Sequence, residues 1–172
     1  MTDAEFWTLI DVTHGAYEAL LEALARLPTE EIIAFDDHVW HFSNVSYRGD
    51  LWCVAYVAMG GCSDDGFDYF RGWLITKGEI VFKATLQDPD SLVDVLAALK
   101  ERNVGAIPQD EDILGVAAKA YQKKTRKKDY YDLPRIGPGP RPAVQFQWQP
   151  DDVDSMMAVC PRVFASFWED PF

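Results

Sequence analysis

The residues that could do chemistry are concentrated in one run, Gly60 to Gly78, which reads GGCSDDGFDYFRGWLITKG. Its candidate binding set is Ser63, Asp64, Asp65, Asp68, Arg71 and Trp73. Ser63 before two acids is the pattern of a helix N-cap, whose hydroxyl accepts from an amide two or three residues on. Asp64 and Asp65 then fall in the first turn, where the helix dipole favours negative charge. Asp64 and Asp68 are four apart and Asp68 and Arg71 three apart, spacings that permit an ion pair on one helix face. Two uses of this set are open. In the first, Arg71 binds an anion and a carboxylate serves as base or metal ligand, under a pocket lined by Trp52, Trp73 or Tyr56. In the second, Arg71 and the acids lock the helix to its neighbours, because a buried charge without a partner costs several kcal/mol.

Other arrangements are weaker. Asp64, Asp65 and Asp68 spell DDxxD, the spacing that prenyl and terpene synthases use for magnesium diphosphate. That chemistry needs a large helical cavity and a second metal motif, and the sequence carries no such motif. The acids also sit at a helix start, where the dipole competes with a cation. A simple divalent-ion site on clustered oxygens stays open, but neither a metal nor a cofactor is expected. His38 and His41 lie three apart after Asp37, and zinc catalysis needs a third ligand and an open position. Ser63 has neither a GxSxG elbow nor a neighbouring histidine to make it a nucleophile. Cys62, just before a helix N-terminus, is in a place that can lower a thiol pKa, but no base is identified.

The elements that position this run are helical. Leu51 to Met59, LWCVAYVAM, is apolar on every side and far short of the ~20 residues a bilayer requires, so it reads as a helix buried all round. Gly60 and Gly61 end it. Phe67, Phe70 and Leu74 form the apolar face of the following helix, which Gly78 closes. Upstream, Thr2 or Asp3 caps a helix bearing Phe6, Leu9 and Ile10, with Trp7 on its flank. A second helix runs from Thr13 to Leu27, and Thr29 caps a third with Ile32, Phe35, Val39 and Phe42. Asp50 caps the buried helix. Glu79 to Leu86 is rich in β-formers, but its setting makes it a helix. Asp90 or Ser91 opens a helix with Leu92, Val95 and Leu96, a loop runs from Asn103 to Pro108, and Asp110 caps a helix with Ile113, Val116 and Ala120. It ends in the basic run Lys123 to Lys128, read as a solvated helix end. Prolines 134, 138, 140 and 142 make a stiff connector. Val144, Phe146 and Trp148 alternate with glutamines at a strand period. A lone strand must pair, lie in a groove or meet another chain. Asp151 or Asp152 then opens a short helix, followed by a last apolar turn. The expected fold is all-α: one domain of seven to nine helices (1–132) with an extended Pro-rich C-terminal arm (133–172) containing one strand-like segment.

The chain carries 28 acids against 16 bases, a net charge of −12. Phosphate backbones repel such a surface, so nucleic acid is disfavoured and a basic protein partner is favoured. Three cysteines without CxxC spacing fit a reducing cytoplasm. No signal peptide or membrane segment is visible.

Gly60 to Ile75, with FWTLID near the N-terminus and DPDSL further on, resembles a family of uncharacterised bacterial proteins with the pattern Gly-Gly-x-Ser-Asp-Asp-x-Phe-x-x-Phe-Arg-x-Trp-Leu-Ile. The resemblance spans Glu5 to Tyr121 and implies no established activity. The functional expectation is an acidic cytosolic interaction or regulatory module, including the toxin-neutralising immunity type, that binds through acids, exposed aromatics and the arm from Pro134 to Trp148. The alternative is a small-molecule or metal-dependent enzyme built on Ser63 to Arg71.

Overall fold

The computed structural model describes residues 1–102, 105–133, 140–150 and 152–172. Within them the chain forms ten α-helices and no strand. They are α1 (Asp3–Thr13), α2 (Tyr17–Arg26), α3 (Thr29–Val45), α4 (Gly49–Met59), α5 (Asp64–Thr76), α6 (Glu79–Gln87), α7 (Val93–Arg102), α8 (Val116–Thr125), α9 (Val153–Val159) and α10 (Pro161–Phe167). Short 3-10 turns, Pro89–Leu92, Asp112–Leu114 and Tyr130–Asp132, lie between them. The all-α expectation holds, and the expected last apolar turn is a full helix, α10. The Pro-rich connector at Pro134 and Pro138, the loop start at Asn103 and the possible cap Asp151 lie outside the described residues.

α4 is the axis. Seven of its eleven residues, from Leu51 to Ala58, are apolar and buried, as its sequence requires of a helix with no polar face. Its end is sealed by Gly60 in the left-handed region at φ 65°. α10 packs against α4 from one side, α3 and α5 pair across the core, and α2 runs along α8. An aromatic cluster of Phe6, Trp7, Phe35, Phe42 and Phe82 joins α1, α3 and α6, with ring centroids 4.5–5.4 Å apart. Trp7 belongs to this core at 2% exposure. Its placement on a flank is therefore corrected: α6 reaches over α1 and widens the buried face. The β-formers of α6 serve the same end, since Phe82 is buried while Ile80 is exposed.

Several boundaries move for local reasons. Thr13 ends α1 rather than opening α2. Asp88 caps the turn before α7 in place of Asp90 or Ser91. Asp110 accepts from Ile113 N ahead of the turn that precedes α8. α3 starts at Thr29 with Pro28 at the cap position, suited to a chain that enters extended. α4 begins at Gly49, and Asp50 turns back to pair with Arg48 rather than capping. Gly78 opens α6 instead of closing α5, at φ 87°. A Cβ there would run into the Asp11 carboxylate.

The segment 140–150 forms no strand and bends at Pro140 and Gln147. Of the three options open to it, it takes the groove: it lies against the start of α4, where the Trp148 indole donates to Gly49 O at 2.7 Å. Gly49 is required there, because a Cβ would strike the Gln145 carbonyl. α9 starts at a side-chain cap from Asp152.

The C-terminal helices are held by the DPDSL sequence. Asp90, 5% exposed, accepts from Arg162 N at 3.0 Å, Arg162 Nε at 2.9 Å and Val163 N at 2.9 Å. Asp88 accepts from the other end of the same guanidinium at 2.6 Å. Among the described residues no helix is long and apolar enough to cross a membrane.

Candidate functional site

Ser63 does what its position dictates. Its Oγ accepts from Gly66 N at 3.1 Å and caps α5. Asp64 and Asp65 are exposed in the first turn. One turn later the α5 helix changes face. Asp68 is half-buried and Arg71 is 2% exposed.

Each of the three nitrogens of Arg71 donates inward. Nε goes to Phe67 O at 3.2 Å, one terminal nitrogen to Ser43 O on α3, and the other to the Asp68 carboxylate. The guanidinium lies against the rings of Tyr47 and Phe67, 4.7 and 4.9 Å from their centroids. Burial draws its pKa down and Asp68 pulls it back up. Arg141, from the 140–150 segment, binds the other oxygen of Asp68 and also covers Tyr47. Asp68 thus bridges two guanidinium groups, and Arg71 ties α5 to α3.

Trp73 is apart from this set. It is buried on the far side of α5 and lines a second cleft of about 440 Å3 with Lys77, Val95, Leu99 and Arg102. Its Nε1 and the Ser43 hydroxyl have no hydrogen-bond partner among the described residues. Burial draws the Lys77 ammonium down, opposed by Asp110.

Beside the start of α5 lies a cleft of about 430 Å3 bounded by Trp52, Tyr56, Phe146, Trp148, Cys62 and Asp64. Trp52 and Tyr56 were expected over this helix start, and they line it. Phe146 and Trp148 were not expected there, although their period-two spacing was visible. The Trp52 indole donates to Cys62 O at 3.1 Å, and Phe67 stacks behind it at 4.5 Å.

Cys62 is not tuned for attack. Burial pushes its thiol up to about 12, the opposite of the shift a nucleophile needs. At pH 8 its thiolate fraction should be about a thousandfold below that of an ordinary thiol. Alkylation of Cys62 in the native protein should be correspondingly slow, rise with pH, and reach the ordinary rate on unfolding. Equal rates in folded and unfolded chains would contradict this environment. Cys53 and Cys160 are buried with their sulfurs 3.7 Å apart, and that contact, with burial, raises the Cys53 pKa strongly.

His38 stacks on Phe6 at 5.4 Å, contacts Ala34 O at 2.7 Å and pairs with Asp3 at 3.2 Å. His41 is exposed. No cluster of three or more His, Cys, Asp or Glu able to hold a metal occurs among the described residues. The outer surface of α5 is acidic instead. The Tyr69 hydroxyl is pushed up by Glu111 beside it, by burial, and by Asp65 and Asp68. The basic run at the end of α8 is exposed, with Lys123 on Glu22 of α2.

Comparison with known proteins agrees with the sequence resemblance in extent. No curated protein and no solved structure shows significant similarity to the chain. The protein family of unknown function DUF4240 matches residues 1–123, and the chain belongs to that family.

Proposed function

We propose that the chain is an interaction module for a basic protein partner, of which a toxin-neutralising immunity protein is one form. The observation that carries this reading is the inward use of Arg71, the one Lys or Arg between Gly60 and Ile75. With that cation consumed, the motif offers its surroundings carboxylates and rings: Asp64 and Asp65 on α5, Tyr69 with Glu111 next to them, and the aromatic cleft at the helix start. Acidic surfaces of this kind steer basic partners and set register. Rings supply the desolvated anchors. A net charge of −12 adds a long-range field of the same sign.

The test is affinity capture from the producing cells with the wild type and an Asp64→Lys/Asp65→Lys variant. The expected partner is basic, is released as salt rises through the range where the Debye length shrinks from ~10 to ~3 Å, and is lost by the charge-reversed variant while its Tm holds. A partner retained by that variant, or an acidic one, would sink the reading.

The cleft over the start of α5 also favours a second reading, a small-molecule enzyme using Ser63 to Asp68. A thermal-shift screen against metals, nucleotides and metabolites separates the two. A ligand that stabilises the wild type but not Asp65→Ala, and is turned over, belongs to the enzyme.

A further inference from the structure

Four rings line the open 430 Å3 cleft, together with Cys62, Asp64, Gln149 and Pro150. Trp52 and Tyr56 are one helical turn apart on α4, so their side chains project from the same face. Phe146 and Trp148 are two apart with a bend at Gln147 between them, and both line the cleft. The four rings contact one another in a chain, T-shaped or tilted. Trp52 and Phe146 are 5.4 Å apart at 60°, Phe146 and Trp148 5.9 Å at 75°, and Trp148 and Tyr56 5.2 Å at 51°. Rings so inclined to their neighbours are not stacked, and the cleft runs along them.

The walls are fixed in place. The Trp52 and Trp148 indoles each donate to a backbone carbonyl, Cys62 O and Gly49 O. Phe67 backs the Trp52 ring. Both indole N–H groups are thereby occupied away from the cleft. Phe146, 53% exposed, forms the outer wall. Asp64 stands at the rim, no lysine or arginine lines the cleft among the described residues, and the Cys62 thiol stays uncharged.

We infer that this box binds a methylated ammonium group. Aromatic faces carry negative electrostatic potential and attract cations, best of all those already poorly hydrated, and cages of rings with a nearby carboxylate recognise quaternary ammonium. A plain ammonium brings three N–H donors that need acceptors, which ring faces do not supply; the side-chain oxygens in the lining are those of Asp64, Gln149 and Tyr56. A trimethylammonium group has no N–H donor, matches an apolar cavity in shape, and is still drawn by Asp64. The proposal deepens the reading of a cationic partner and rests on it. It commits to the head group, whether carried by a free choline-like molecule or by a methylated lysine in a partner chain.

The experiment is a titration of the full chain followed by tryptophan fluorescence and calorimetry. The probes are choline, 3,3-dimethylbutanol (its uncharged carbon isostere), a trimethyl-lysine peptide and the same peptide unmethylated. Saturable binding is expected for choline or the trimethyl-lysine peptide, and the tighter of the two identifies the source. The isostere and the unmethylated peptide should each bind at least about tenfold more weakly. Phe146→Leu, which keeps an apolar side chain at an exposed site, should weaken binding about tenfold with Tm unchanged. Asp64→Asn should weaken it less, because the helix dipole already offsets part of that charge. Equal binding of the isostere, full affinity in Phe146→Leu, or no binding of either methylated probe would overturn the proposal. Failure here alongside loss of a basic partner in the Asp64→Lys/Asp65→Lys variant would remove the box and leave the interaction reading standing.

Discussion

Asp68→Ala is expected to cost about 3–5 kcal/mol, the usual penalty for stripping a buried charge of its partner. For a chain of 172 residues that is a fall of roughly 6–20 °C in Tm. The reason lies in what remains. The Arg71 side chain is 3% exposed and cannot turn to water without opening α3 from α5. It would keep the carbonyls of Ser43 and Phe67 and the faces of Tyr47 and Phe67. It would lose the countercharge that offsets its burial. Arg141 would lose its carboxylate as well. Asp65→Ala, at an exposed position in the same helix, should change stability by no more than about 1 kcal/mol. Urea denaturation with an unchanged m-value separates the two variants. Equal midpoints would mean that the Asp68–Arg71 pair is not a structural lock.

Asp90→Ala is the second large effect. One buried carboxylate caps α10 through Arg162 N and Val163 N and pairs with the Arg162 side chain. Removing it leaves the first turn of α10 uncapped and a guanidinium held by Asp88 alone. Loss of a cap costs ~0.5–2 kcal/mol and loss of a charged hydrogen bond ~1.5–3 kcal/mol, so about 2–5 kcal/mol in total is expected. The damage should be local. Amide exchange in α9 and α10 should accelerate most, while α2 and α8, which pack on each other elsewhere, keep their protection. Asp90→Asn retains one acceptor oxygen and should recover part of the loss. Unchanged protection in α10 would show that its burial against α4 holds it without Asp90.

Much of this was legible in the sequence because it is local. The Ser63 cap, the Gly60 closure, the Asp68–Arg71 pair and the buried faces of α4 and α5 all follow from spacings within one or two turns. The helix α6 was legible despite its β-formers. What escaped was non-local. Nothing in DPDSL announces that Asp90 waits for Arg162, 72 residues on. Asp68 meets Arg141 from a stretch that reads only as a connector. The alternation of Val144, Phe146 and Trp148 reads as a strand, but the segment forms none: a bend falls at Gln147, Phe146 is exposed and Trp148 is buried. Its partner, however, was a helix start, reached through the Gly49 carbonyl and 99 residues away from Trp148. Each half of the aromatic box was therefore written in the sequence as a pair of rings at a helical or an extended spacing, and only the fold brings the halves together. Trp73 illustrates the converse. Neighbouring Arg71 in sequence, it leaves the helix on the other side and joins a different cleft.

Arg71 serves the interior rather than a ligand, and the most direct measurement of that role is a double-mutant cycle. Asp68→Ala, Arg71→Met and the double variant are compared with the wild type by chemical denaturation. A coupling energy of about 1.5–3 kcal/mol is predicted, with the double variant more stable than Asp68→Ala because no uncompensated buried charge remains. Coupling near zero, with Arg71→Met as stable as the wild type, would contradict it and return Arg71 to the surface as a group free to hold an anion.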